Sequence, residues 1–426
     1  MVGAAVMAVA VISLAAMIAG IVRPIALPLL VGASLRVGVA LLGWHAITLP
    51  YSTGDAIGFE RGAWRMAEAG WPTILDALNP LTGFSYIAPF AAIYALVGRA
   101  PHALLAYNAI LSLLTIFLVY RIGLALGGRR VGIGSAWVMA IFPAAILMSA
   151  VILREAAVGF GVALGMFGLL EASRKNNPAY IFVGVFGLAW AALHHGGMLF
   201  PALVGLVAFA VTLLRGTVGT NRVHLPSIAV SAGAIVVLVG AAAVVAPGNL
   251  RLASAGVINF ETVEREILAE SPRVERGGSS YYGGTTTESW GQALRQLPGR
   301  VTLFMVSPLP WTVRSASQVA GLLDGLIWGV ILLLLFRHRR VVWANPAART
   351  LLLFLAIGVT TYALGTTNAG TALRHRTKFA PALIPLVLFA VLSLRTQLAR
   401  KDRKDSRSQT GQEDERVQGP KVPLEV

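Results

Sequence analysis

Cysteine is absent from all 426 residues, and only 13% of them are charged. The first absence excludes disulfide scaffolds, thiolate catalysis, iron–sulfur clusters and cysteine-ligated zinc. The second leaves about half the charge of a soluble domain, which carries roughly 25%. Apolar residues take the vacant share, at 56%, and they fall in runs of about 20 with few or no charges. That is the length needed to cross a bilayer's roughly 30 Å hydrocarbon core. The sequence therefore predicts an all-α, polytopic helical membrane protein, and it excludes a soluble enzyme or a disordered chain. A net charge of +16 does not signal nucleic acid, because no basic stripe with interleaved aromatics occurs.

Eleven runs predict about 11 transmembrane helices, at 1–22, 25–47, 102–126, 131–151, 156–172, 179–193, 196–214, 228–245, 319–336, 351–364 and 379–394. A twelfth, 84–97, is shorter, carries Pro89 and reads as a re-entrant segment on the outer side. Basic residues gather at Arg23, Arg129 and Arg130, Arg174 and Lys175, Arg215 and Arg222, and 337–340. Eleven spans place all of these on the cytoplasmic face with the N-terminus outside. The membrane domain covers 1–395, with outer loops 49–101, 246–318 and 365–378. Residues 396–426 form a polar cytoplasmic tail in which both signs of charge are mixed. The first run has no basic flank before it and no evident cleavage site after it, so it reads as a retained span.

Polar chemistry collects on the outer side. Asp55 follows the second span, where a carboxylate is placed to take a proton from an incoming hydroxyl. Alternatively it caps a helix over 56–69 that turns Phe59, Trp64 and Met66 to lipid. Arg154 and Glu155 lie between two runs, and ionisable groups at such depth are costly enough to face a cavity or a partner; a water-filled polar turn is the other reading. Arg374, His375, Arg376 and Lys378 crowd the side where basic residues are normally depleted. At i and i+4, Arg374 and Lys378 share a helix face. If they open the last helix, its free N–H groups add positive charge to a phosphate site. Nonspecific contact with lipid headgroups is the alternative.

Weaker candidates complete the set. His194 and His195 mark a break before Gly196 and Gly197, and two adjacent histidines diverge too far to ligate a metal together. Glu60 and Glu155 are supporting acids, as is Glu288 in the Gly- and Thr-rich stretch 277–288 of the long loop, which has the makings of a mobile cover. An interfacial helix at 290–297 is expected to stop at Pro298 before a kinked run over 301–311. Arg36 and Asp324 are candidates to pair inside the bundle or to snorkel out of it.

The order of Tyr51-Ser-Thr-Gly-Asp55-Ala, the Pro-containing re-entrant segment, Gly127-Gly-Arg-Arg, the Pro143 run ending in Arg154-Glu155, and Gly370-Thr-Ala-Leu-Arg-His-Arg resembles the GT-C class of membrane glycosyltransferases. Within that class the nearest likeness is to bacterial relatives of the protein mannosyltransferase and lipid A aminoarabinose transferase group. The resemblance spans most of 25–395. It implies a polyprenyl-phosphate sugar donor, a glycan, lipid or protein acceptor, catalysis by Asp55, and donor-phosphate binding by Arg374, His375, Arg376, Lys378 and Arg154. The Asp55 motif holds one acid where better-known members often show a pair, and no large soluble C-terminal domain follows. A divalent metal and the acceptor's identity stay open. Two other expectations stand beside this one: a polysaccharide polymerase or ligase acting on lipid-pyrophosphate glycans, and a lipid-linked substrate transporter or flippase.

Overall fold

The computed structural model describes residues 2–78, 85–175, 177–218, 290–313, 316–366 and 368–393. Regular structure among them is helical. The helices are α1 (Val2–Ile21), α2 (Ala26–His45), α3 (Asp55–Glu68), α4 (Trp71–Ala77), α5 (Ala88–Val97), α6 (Pro101–Ile141), α7 (Pro143–Ser149), α8 (Glu155–Lys175), α9 (Ala179–His194), α10 (Leu199–Val218), α11 (Trp290–Val306), α12 (Ala316–Arg337), α13 (Arg339–Ala344), α14 (Pro346–Leu364), α15 (Ala369–Thr377) and α16 (Ala380–Ser393). Five of them are long and apolar enough to cross a membrane: α1, α2 with the turn before it, α6, α8 and α14. A sixth arises if α15 and α16, bent by 70°, count as one span. The expected run 228–245, the loop residue Glu288 and the tail 396–426 lie outside the described residues.

A straight helix of 41 residues would measure roughly 60 Å, twice a bilayer's apolar depth. α6 is instead a hairpin, broken at Gly127 and at Gly128, whose φ of +79° suits glycine. Its arms touch backbone to backbone. A Cβ on Gly123 would stand 2.8 Å from the Gly132 Cα, and one on Gly132 would stand 2.9 Å from the Tyr120 carbonyl oxygen. The return arm ends where Phe142 turns extended before Pro143. Proline has no N–H, so the Met139 carbonyl loses its i+4 donor. Arg36, fully buried on α2, fills the gap by donating to the Met139 and Ala140 carbonyls at 3.2 and 2.9 Å and to Ser112 at 2.8 Å. Arg36 thus binds a broken helix end, and the expected pairing with Asp324 does not form.

Lipid offers two helices no hydrophobic gain on meeting, so close backbone approach has to supply the attraction. α8 and α9 achieve it with glycine. A Cβ on Gly168 would sit 2.2 Å from the Gly184 nitrogen, and one on Gly187 2.3 Å from the Gly165 nitrogen. The antiparallel pair therefore brings the first residue of α8, Glu155, to the same end as the last residues of α9.

That end is shared widely. Gly3 and His45 meet His102 at the start of α6, and Asn108 on α6 holds the segment before α8 through the Val151 and Leu153 carbonyls. At the opposite end, beside the Gly127 turn, Arg121, Arg174 and Lys175 surround Glu171. The length of α8 separates the two ends by roughly 30 Å. α5, ten residues long, is too short to cross, and it packs on α3 and α4 at the Asp55 end. α3 turns inward here. Phe59 meets Tyr86 at a tilt, centroids 4.8 Å apart, and Trp64 meets Tyr94 edge to face at 5.9 Å, so the face expected to meet lipid instead covers α5 and the turn before it. Pro298 lies inside α11 and does not end it.

Gly168→Leu, which drives a side chain into the α9 backbone, is expected to cost about 1–3 kcal/mol or more and to lower the melting temperature of the detergent-purified protein. Gly20→Leu, where nothing lies within 4 Å, is expected to leave it unchanged.

Candidate functional site

α8 starts at Glu155, directly after an irregular stretch that Asn108 fixes by its carbonyls. The Glu155 side chain is fully enclosed. Its Oε1 accepts from Arg374 Nε and Nη2 at 3.1 and 3.0 Å, and Lys378 Nζ, also fully enclosed, lies 3.9 Å away. Four residues separate the two cations, so α15 presents both on one face. The third Arg374 contact, from Nη1, reaches Asp55 Oδ2 at 2.7 Å. Asp55 is the first residue of α3, but the N-cap is Gly54 and no side chain caps the helix. The capping alternative therefore fails, and the carboxylate faces the cation cluster.

Arg154 stands beside this group with its guanidinium over the Tyr86 ring at 4.8 Å and the Phe59 ring at 5.9 Å. It makes no ion pair among the described residues. With Arg154, Arg374 and Lys378 against Asp55 and Glu155, positive charge exceeds negative by one. Several polar atoms here are buried without a hydrogen-bond partner: Lys378 Nζ, Glu155 Oε2, Arg154 Nε, and Nε2 of both His194 and His195. Leaving such atoms unmatched costs on the order of 1–3 kcal/mol each. They are five of the thirteen such atoms among the described residues.

The histidines diverge as adjacent residues must. His194 Nδ1 bonds the Trp190 carbonyl at 2.9 Å, which leaves Nε2 without the proton when the ring is neutral. His195 Nδ1 meets the Tyr362 hydroxyl at 2.7 Å, and His375 packs against both rings, with centroids 5.2 and 4.8 Å away. The Lys378 ammonium lies 5.1 Å from the Tyr362 ring, a cation–π contact that offsets part of its burial. Among the described residues no three His, Asp or Glu side chains form a metal-ligand set.

Two expected site residues point elsewhere. Arg376, two positions from Arg374 and so on the other side of α15, bonds Asp324 at 2.7 Å and the Phe304, Met305 and Ser307 carbonyls. It ties α15 to α11 and α12 and has no donor facing Glu155. Glu60 receives both forks of Arg99 at 2.9 Å and the Tyr94 hydroxyl at 3.0 Å. Those Arg99 hydrogen bonds hold its carboxyl below the usual carboxylate range. The basic cluster also occupies the last turn of α15, the carbonyl end, while Asn368 fills the N-cap by accepting from Gly370 and Thr371. The expected help from free helix N–H groups is therefore absent.

Sequence reasoning missed Tyr51, Tyr362 and Asn108. Tyr51 is the one non-glycine residue at positive φ (67°) among the described residues. It lies against Gly370 at the start of α15, and burial pushes its phenol up to about 12. A cavity of about 380 Å³ adjoins α3; Trp44, Leu49, Ala56, Ile57 and Ile152 line it, with Glu60 and Arg99 among its polar walls. No protein-family model and no curated protein matches the chain.

Glu155→Ala strands two buried cations and is expected to destabilise the protein by about 3–5 kcal/mol, read as a melting-temperature drop well beyond that of Asp55→Ala. Acid acts through Glu60: a carboxyl whose pKa is lowered by folding contributes stability above its unfolded value, and this is lost as pH falls through the native one. A melting-temperature profile below about pH 4.5 is expected to fall less steeply in Glu60→Gln than in wild type.

Proposed function

We propose that this chain is a membrane glycosyltransferase with about eleven spans, moving a sugar from a polyprenyl-phosphate donor to an acceptor hydroxyl at the outer face of the cytoplasmic membrane. One observation carries the reading: Asp55, near the beginning of the chain, and Arg374 and Lys378, near its end, meet around the buried Glu155. The basic groups Arg174 and Lys175 at the opposite end favour that end as the cytoplasmic one.

In this reading the acceptor oxygen attacks the anomeric carbon and its proton passes to Asp55. The bond between the anomeric carbon and the phosphate oxygen breaks, and the electron pair leaves on the phosphate. Arg374, Lys378 and Arg154 meet that developing charge in a place from which water is largely excluded, where fixed cations act most strongly. Arg can grip a phosphate with two N–H groups at once. Glu155 holds two of the cations in position and takes no proton. The largely apolar cavity beside α3 fits part of a prenyl or acyl chain. A donor already carried by lipid needs no nucleotide-binding fold.

The polar cluster lies within a turn of helix ends, at Glu155 of α8 and Tyr362 of α14. That favours an interfacial enzyme over a transporter, whose substrate site lies near the bilayer midplane between repeated halves.

Transfer from a radiolabelled polyprenyl-phosphate sugar in proteoliposomes tests the reading. Wild type is expected to turn over and Asp55→Asn to lose about 10²–10⁴-fold at an unchanged melting temperature. Turnover of lipid-pyrophosphate glycans alone would replace the reading with a polymerase or ligase, and Asp55→Asn at wild-type rate would remove Asp55 from the chemistry.

A further inference from the structure

We propose that Arg374 is an exchange residue: an arriving phosphate anion takes its Nη1 edge from Asp55, and the exchange releases Asp55 Oδ2. The inference rests on the transferase reading above and adds to it the contact that the anion displaces.

The three contacts of Arg374 are unequal. Nε and Nη2 both bind Glu155, whose side chain is fully enclosed. Nη1 binds Asp55, whose side chain is 60% exposed. The Glu155 contact is the anchor, because breaking it would leave a carboxylate buried without its best partner. The Asp55 contact faces water, and ion pairs in water are weak. A phosphate can outcompete it, since its charge is spread over more acceptor oxygens than a carboxylate offers and a guanidinium can grip it with two N–H groups at once.

Asp55 meanwhile gives one oxygen, Oδ2, to the Arg374 guanidinium at 2.7 Å. Anion binding ends that contact with no change in Arg374's hold on Glu155. Arg374 is therefore a positioning residue with two states, set by which acid group occupies its outer edge.

Competition for one edge has a signature that simple substrate contact lacks: removing Asp55's charge improves anion binding. In the detergent-purified full chain, titration with farnesyl phosphate, followed by tryptophan fluorescence, is expected to show Asp55→Asn binding about three- to fivefold tighter than wild type, the range an exposed ion pair supplies. The gain is expected to vanish in an Arg374→Gln background, because the edge competed for is gone. Should Arg374→Gln fail to fold, Arg374→Lys serves, keeping a charge for Glu155 without a fork to share. Inorganic phosphate run in parallel separates the ligand's source: the gain with farnesyl phosphate alone assigns a lipid headgroup, and an equal gain with both assigns a free phosphate. Equal or weaker binding by Asp55→Asn, or a gain that persists without Arg374, overturns the exchange and leaves the transferase reading standing. No binding of either probe to wild type overturns both.

Discussion

A carboxylate sealed away from water needs cations, and Glu155 draws two from a helix more than 200 residues further along the chain, Arg374 at a separation of 219 and Lys378 beside it. Isolated in a low-dielectric interior, Glu155 or Lys378 would be expensive enough to shed its charge. Together they sustain one another, and the fold has to deliver them to within hydrogen-bond reach before the balance closes. Much of the architecture described here serves that delivery. Asn108 fixes the turn that starts α8, the glycine contact of α8 with α9 sets that helix's position, and Arg376 ties α15 to α11 and α12.

The same logic explains why two buried arginines do different work. Arg36 and Arg376 spend their donors on carbonyls freed at helix ends, and Arg376 adds one carboxylate. Both are turned inward: Arg36 gives its donors to Ser112 and backbone carbonyls, and Arg376 sets Nε and Nη2 against the Asp324 carboxylate. Arg374 and Arg154 are open, one shared between an enclosed and an exposed acid, the other resting on aromatic rings. In a membrane protein the distinction separates cations that hold helices together from cations available to a ligand.

How much of this was legible in the sequence follows from range. Local pattern predicted helices for the apolar runs, the helix after Asp55, and the shared face of Arg374 and Lys378, because spacing along one helix decides each. The inward turn of Phe59 and Trp64 was not legible, since an aromatic face suits α5 as well as it suits lipid. The assignment of Asp324 to Arg376 and not to Arg36 depends on which helices cross, and periodicity is silent on that. Asn108 is a polar residue in an apolar run, and Tyr362 follows two threonines in another, a signal worth weighing because the bilayer penalises such groups. Pro298 was over-read: one missing N–H costs a helix less than stopping it when packing holds both halves.

In the proposed reading, Glu155 organises an anion site at one end of the bundle. A structure of the full chain in nanodiscs with a bound polyprenyl phosphate tests this most directly. The phosphorus is expected within hydrogen-bond reach of Arg374 and Lys378, with the prenyl chain leaving beside α3. A phosphate seated at the other end, against Arg174 and Lys175, or one held at this end without either cation, would contradict it.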